Sequence, residues 1–474
     1  MKRRNFLAGA VGAITSLPAA ARIPTQMGIG EYQSDFTIIT KDDPFADYYS
    51  DAFKADLLRI PEKRLMCRSA RAVAEQVKLL HQSGDDFAIR STGHCFAGFS
   101  QHEKLVLDTS YLSSFRWIKE RGTFEVGAAT WLLPMYRKLA ETSHVLPGGT
   151  YFSVGTGGAT LGGGIGYLSR QFGLLSDHVH SFKMVTAKGE IVTASLDENP
   201  DLFWALRGCG GGSLGVITSL EFTPIKLEQS TSINWVGTYH FKDAAKLVHA
   251  WQRWTEAAGK NVTTHVRLQR YRQNDVLIHI KGWSLADRLT TKDFLQQLLG
   301  PKQTILDTNV RSGPPRVVLD HLIDWHYFLT PENVHVDSDF AGRLYTEEEM
   351  DEAIISLMRE PIASMSVYLE ALGGKIKDGT IRDGCYPHRD AEYLIYYISP
   401  IPTPDRSDER LQNLQNVKAG FSSAVNGNTY VNYPNPNLEN WQYRYWGENL
   451  GRLREIKRHW DPDNFFNHPQ SITL

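Results

Sequence analysis

The chain has 474 residues, 42% of them hydrophobic and 22% charged, which excludes a disordered or fibrous protein and leaves room for two or more cores. Its 51 Lys and Arg against 53 Asp and Glu give a formal charge of −2, so no global positive field points to nucleic acid or an anionic membrane surface. A small or neutral ligand is the default.

The first residues, MKRRNFLAGAVGAITSLPAAARIP, combine a basic start, an apolar stretch too short to span a bilayer and the small-residue site Ala19-Ala20-Ala21. Residues 1–21 read as an export signal, and the paired Arg3 and Arg4 followed by Phe6 and Leu7 resemble the twin-arginine type. Its removal takes Lys2, Arg3 and Arg4 with it and lowers the formal charge from −2 to −5. No later apolar run suffices for stable membrane insertion. The cysteines Cys67, Cys95, Cys209 and Cys385 form no C-x-x-C pair and are read as small buried hydrophobes.

A polar stretch runs to about Asp51. The segment SARAVAEQVKLLHQSGDDFAIRSTGH then predicts a helix ending at Gly84, a strand over Phe87 to Arg90, and a loop carrying His94. Short strands and helices alternate through KLVLDTSYL and RGTFEVGAATWLLPMYRKLAETSHVLPGG. Ten glycines follow between Gly148 and Gly173, interleaved with apolar anchors that a flexible linker would not need. From about Ser230 the texture changes. THVRLQRYRQNDVLIHIKGWSL, ASMSVYLEALGG and DAEYLIYYISPI alternate with the period of a half-exposed antiparallel sheet, and FKDAAKLVHAWQRWTEAAG and TEEEMDEAIISLMREP read as helices beside it. The tail from Asn428 is aromatic and glycine-bearing, then forms a helix halted by Asp461-Pro462.

Two common patterns fail on context. GCGGGSLGVITSLEF contains G-x-G-x-x-G from Gly210 to Gly215 and G-x-S-x-G around Ser213, but both motifs need strand, turn and helix in that order. Here a helix, ENPDLFWALRG, precedes the glycines and a strand follows them, so a Ser213 hydrolase is the lesser alternative. His178 and His180 flank one strand position beside Asp177, without a third ligand at metal-site spacing. The glycine loops Arg90 to Gln101 and Gly148 to Gly166 can form backbone anion nests able to hold a dinucleotide's phosphates without a basic residue, and a histidine at the loop mouth could touch the cofactor's reactive ring.

RSTGHCFAGFS, SVGTGGATLGGGIGYLSRQFGLLSD, NPDLFWALRGCGGGSLGVITSLEF and the tail YVNYPNP…WGENLGRLREIKRHWDPDNFFNHPQSI together resemble the berberine-bridge-enzyme-like branch of the vanillyl-alcohol-oxidase flavoproteins, from about Pro44 to Ile472. The resemblance implies an α+β protein: a PCMH-type FAD-binding domain over residues 45–225, an antiparallel-sheet substrate domain with helices on one face over 226–425, and a C-terminal segment, 426–474, returning to the first. It implies FAD bonded covalently through His94. Arg90, Ser91, Thr92 and Gly93 would line the pyrophosphate through backbone amides, with Gly98, Ser100 and Gln101 closing the loop. Ser153, Val154, Gly155, Gly157, Gly158, Gly162, Gly163 and Gly164 would hold the rest of the cofactor, and Val216 or Ile217 the adenine portion. Tyr151 stands where relatives often have a second linking cysteine, so only the histidyl bond is implied, and Cys95 is at no position the family uses. Val154 at the oxygen-reactive face leans toward an oxidase that reduces O2. Tyr430 matches the family's proton-accepting tyrosine and Asn432 a flavin contact, while Tyr386 matches a site-lining position. A tyrosine with a pKa of about 10 needs a cationic or hydrogen-bonding neighbour to act as a base near neutrality. The implied reaction is dehydrogenation of a hydroxyl or activated C–H group on a sugar, alkaloid, aromatic alcohol or polyketide-like molecule, with a dehydrogenase that ignores oxygen as the alternative.

Overall fold

The computed structural model describes residues 35–50, 52–54, 58–301, 303–323, 333–379 and 383–474. The export signal expected over residues 1–21 lies outside them.

Among the described residues three sheets of four or more strands organise the chain. The first has the order Phe36–Thr40, Lys63–Cys67, Leu105–Asp108, Ala88–Arg90, parallel except for its first strand. Phe36–Thr40 falls in the stretch read from sequence as merely polar. Five residues at a sheet edge carry too short an alternation to register as a strand. The helix Ala70–Ser83 starts where Ser69 accepts the Ala72 N–H and ends at Gly84, whose φ of 70° only glycine adopts freely. It buries Val73, Val77 and Leu80 against Leu65 and Leu107 of the sheet. Ala88–Arg90 follows and delivers the His94 loop.

The second sheet is antiparallel, ordered Phe115–Ile118, Thr123–Gly127, Val216–Phe222, Val179–Val185, Ile191–Ala194. The glycine region lies beside it with two short helices, Thr156–Leu161 and Ser169–Phe172. The helix Pro200–Leu206 precedes the Gly210 to Gly215 turn and Val216–Phe222 follows it, the reverse of what a dinucleotide fingerprint or hydrolase elbow requires. His178 closes a 3-10 turn, Leu175–His178, and His180 lies in the next strand, so the two do not share a strand face. No group of three or more metal-ligating side chains occurs among the described residues.

The third sheet has seven antiparallel strands in the order Val310–Gly313, Ser230–His240, Asp275–Ser284, Val262–Arg270, Ser366–Ala371, Tyr393–Pro400, Val334–Ala341. The helices Phe241–Ala257, Glu347–Arg359 and Ser407–Gly420 cover one face, where Trp251, Met350 and Leu414 share a core with Val266, Ile280, Leu369 and Ile395. Helix Leu450–Trp460 and the tail rejoin the second sheet, with Leu453, Ile456 and Ile472 in one core with Phe124 and Phe222. The fold is α+β. Among the described residues no helix is long and apolar enough to cross a membrane.

Candidate active site

The His94 loop, the glycine region, the Gly210 to Gly215 turn and the C-terminal tail enclose a cavity with about 280 Å³ of room for the centres of water-sized molecules, against about 70 Å³ in a second cavity beside it. No Asp, Glu, Lys or Arg among the described residues lines the larger one. Its walls are glycine backbone, hydroxyls and aromatic rings.

Local structure explains the loop. Asp108 ends its strand with both carboxylate oxygens engaged: Arg64 at 2.7 Å and Arg90 at 3.1 Å on one, the Ser110 N–H at 2.8 Å on the other. Arg90 therefore turns into the protein, and its guanidinium lies where a Cβ on Gly93 would stand. Gly93, at a φ of 75°, passes over it and presents His94. A Cβ on Gly155 would strike Thr92, so the two glycine loops meet backbone to side chain.

His94 stacks on Phe53 with centroids 4.1 Å apart and meets Phe96 and Tyr151 edge-on at 5.8 and 6.1 Å. Its Nε2 shares a 3.2 Å hydrogen bond with Ser153 Oγ. One edge opens to the cavity while the protein surrounds the rest, and this burial holds the imidazole down to about 4, so it is neutral at pH 7. The neighbouring Cys95 thiol is pushed up by burial, against the pull of surrounding backbone amides, and is no thiolate.

The Tyr430 hydroxyl accepts hydrogen bonds from the Gly164 N–H and Asn432 Nδ2, each at 3.1 Å, and Asn432 also donates to the Ala159 carbonyl at 3.0 Å. Burial nevertheless raises Tyr430 above the ordinary phenol range, the two donors oppose it, and the Glu370 carboxylate adds to the rise. No cation offsets burial, and the resting side chain is a neutral phenol.

The cavity brings together Ser91, Thr92, Gly93, His94, Ser100, Val154, Gly155, Gly157, Gly158, Gly164, Val216, Ile217, Tyr430 and Asn432. Arg90, Gly98, Gln101, Ser153, Gly162, Gly163 and Tyr386 do not line it. Ser153 touches it through His94, and Gly98, with a φ of 74°, makes the turn to Gln101. Tyr386 is 1% exposed and packs behind Gly163, 6.4 Å from the Tyr430 ring; the line-up of its motif could not reveal the glycine between it and the cavity. Sequence reasoning passed over Phe99, Tyr433 and His468. His468 stacks on Phe99 at 5.0 Å, bonds the Gly211 carbonyl at 3.1 Å, and is held down to about 4 by burial. Its signal was the tail motif, 374 residues from His94 in the chain and recognisable only once the tail folds back.

The residues fit FAD. Ser100 Oγ in the cavity wall is buried without a partner, and beside Gly158 and Gly211 even an added Cβ would meet open space. A phosphate-bearing cofactor would find N–H and O–H donors and no charge to displace.

Residues 61–195 match the model of the FAD binding domain and residues 429–473 that of the berberine and berberine-like family. The chain is 27% identical to the uncharacterized FAD-linked oxidoreductase YgaK of Bacillus subtilis (strain 168), over 92% of this chain and 96% of that protein. It is 29% identical to berberine bridge enzyme-like 12 of Arabidopsis thaliana, over 81% and 79%. In fold it is similar to berberine bridge enzyme from Eschscholzia californica, with a TM-score of 0.82 at 21% identity over 92% of this chain and 96% of that one. Chitooligosaccharide oxidase matches with a TM-score of 0.79 at 22% identity over 90% and 94%. The chain is thus an FAD-dependent oxidoreductase, similar in its matched segments and in its fold to the berberine-bridge-enzyme-like branch of the PCMH-type, vanillyl-alcohol-oxidase flavoproteins.

Proposed function

We propose that the protein is an exported oxidase that dehydrogenates a hydroxyl or similarly activated C–H group of a small organic substrate, a sugar or an aromatic or polycyclic alcohol, with dioxygen reduced to hydrogen peroxide. The observation that carries this reading is the position of His94, which lies in the uncharged glycine-walled cavity beside Tyr151, where a second cavity walled by aromatic and ionisable side chains begins. FAD, when bound, supplies a two-electron acceptor for the hydride that leaves the substrate carbon.

The chain holds, orients and shields. A neutral His94 keeps a ring-nitrogen lone pair at pH 7, which covalent attachment to the cofactor requires. Backbone amides of Ser91, Thr92 and Gly93, with Ser100 and Gln101, serve the pyrophosphate, and the Gly155 to Gly164 stretch and Val216 or Ile217 serve the remainder. Tyr430 and Asn432, tied to Gly164 and Ala159, would contact the cofactor's ring. Val154 leaves space in the wall for oxygen. Tyr151 in place of a cysteine leaves one covalent link. Residues 45–225 with 426–474 form the cofactor unit in this reading and 226–425 the substrate unit, with residues 1–21 removed on export.

The test is peroxide release during aerobic incubation with a panel of sugars and aromatic alcohols, repeated without oxygen and with an artificial electron acceptor. Peroxide in the aerobic arm supports the oxidase. Turnover that depends on the artificial acceptor alone identifies a dehydrogenase instead. Retention of Tat-dependent export, with cleavage after Ala21, is checked by N-terminal sequencing of the exported protein.

A further inference from the structure

One face of the seven-stranded sheet carries ionisable side chains where an ordinary half-exposed sheet meets solvent. Val262–Arg270 contributes His265 and Arg267, Asp275–Ser284 contributes His279 and Lys281, and Ser366–Ala371 contributes Tyr368 and Glu370. All six line the second cavity. The residues between them, such as Val266, Ile280 and Leu369, point into the helix-covered core. The register sets Lys281, His265 and Glu370 in one cross-strand row and His279, Arg267, Tyr368 and Tyr396 in the next.

The face is closed over by the glycine region, whose Thr150 and Tyr151 line both cavities. His265 is 5% exposed and Glu370 1%. His265 Nδ1 lies 3.3 Å from Glu370 Oε1, yet His265 Nε2 and Glu370 Oε2 have no partner. A buried ionisable pair is costly unless its polar atoms are satisfied, so two orphaned atoms on one pair beside a cavity indicate a ligand that satisfies them. Tyr430 does not take that place at rest, because burial keeps it a protonated phenol despite the two N–H groups its oxygen accepts. Its own proton remains to be donated.

We propose that His265 is the base that takes the proton of the substrate's hydroxyl, that Glu370 positions it, and that Tyr430 is a hydrogen-bond donor rather than the base; the assignment rests on the alcohol-oxidation reading. In this assignment the Glu370 carboxylate, 3.3 Å from Nδ1, holds the ring proton on that nitrogen and so leaves the lone pair on Nε2. The substrate O–H bond breaks with its proton going to Nε2. The C–H bond breaks with its electron pair leaving as hydride to FAD, and a second C–O bond forms. The imidazolium faces Glu370 until its proton passes to water. Lys281 on the paired strand, Arg267 two residues along, His279 diagonally opposite and the Tyr167 ring at 4.7 Å complete its surroundings.

The test begins with nitrogen-15 NMR of the histidine-labelled holoprotein near neutral pH, with the His265 signal assigned by its loss in His265→Gln. A protonated Nδ1 and bare Nε2 are expected; a proton on Nε2 overturns the proposal. The second arm follows anaerobic bleaching of the flavin by cellobiose and by 4-methoxybenzyl alcohol. His265→Gln should slow bleaching about 100-fold and abolish the acid limb of its pH profile, while dithionite still bleaches the flavin fully. Glu370→Gln should move that limb to lower pH, because the imidazole loses its carboxylate partner, and it serves if His265→Gln fails to fold. An unmoved limb in Glu370→Gln, or wild-type rates in His265→Gln, overturns the assignment and leaves alcohol oxidation standing. Wild-type protein bleached by neither alcohol removes the alcohol reading, and this assignment with it.

Discussion

Lys457 Nζ lies 2.6 Å from Asp461 Oδ2 with both side chains fully excluded from solvent. The ammonium also donates to the Ser213 and Phe466 carbonyls at 2.7 Å each, and Asp461 accepts the Phe465 and Phe466 N–H groups at 2.8 Å each. One pair thereby pins a helix, the glycine turn and the tail at one end of the cofactor cavity. It also gives Ser213 a structural role, since its hydroxyl accepts the Ile472 N–H at 3.2 Å.

Lys457→Met should therefore strand a buried carboxylate and cost about 3–5 kcal/mol in a denaturant melt. Adding Asp461→Leu should recover part of the loss. Full wild-type stability in Lys457→Met would remove the pinning role.

Gly166 and Gly148 approach so closely that a Cβ on Gly166 would collide with the Gly148 carbonyl oxygen. Gly166→Ala must separate the two ends of this loop, at a cost of about 1–3 kcal/mol, and should lower flavin incorporation as well. Gly122→Ala at an open turn, with nothing near the added carbon but a φ of 66°, separates backbone strain from collision: it should leave flavin incorporation intact.

Three histidines should make the protein acid-sensitive. Burial holds His94 and His468 down to about 4 and His388 to about 3. Unfolded, each takes up a proton near pH 6.5, so the unfolded state binds more protons below that point and stability falls with pH. The melting temperature of the flavin-free protein should be flat above about pH 6.5 and decline toward pH 4. His388→Asn should flatten part of the decline, since His388 is 6% exposed and bonds only the Tyr445 carbonyl, at 2.9 Å, in its described hydrogen bonds.

Val154 lines the cofactor cavity, its backbone fixed to Leu132 and Tyr151 at 2.9 and 3.2 Å. Val154→Leu adds bulk to that wall. Reoxidation by dioxygen should slow about tenfold, or roughly 1.4 kcal/mol of barrier, while anaerobic reduction by substrate stays unchanged. Stopped-flow absorbance separates the two half-reactions, and equal slowing of both would contradict the role.

Much of this was legible in the chain. Ser69 and Gly84 punctuate the helix Ala70–Ser83, and alternation announced the strands of the third sheet. The glycine loops and His94 were visible because so much glycine near an imidazole has no packing purpose. His265 and Glu370 were not, since a polar strand face reads the same whether water or a glycine loop covers it. The place of Tyr386 was hidden for a related reason: its 1% exposure and Gly163 in front of it depend on contacts between segments more than two hundred residues apart. Likewise the burial that keeps Tyr430 a phenol, and the Glu370 carboxylate that adds to it, come from segments not near it in sequence.

The most direct test of the central claim, FAD held covalently by His94, is acid precipitation of the purified protein with spectra of pellet and supernatant. Wild-type protein should give a yellow, fluorescent pellet, and His94→Ala a colourless one. A colourless wild-type pellet with flavin in the supernatant would contradict the covalent bond, and no flavin in either fraction would contradict the cofactor itself.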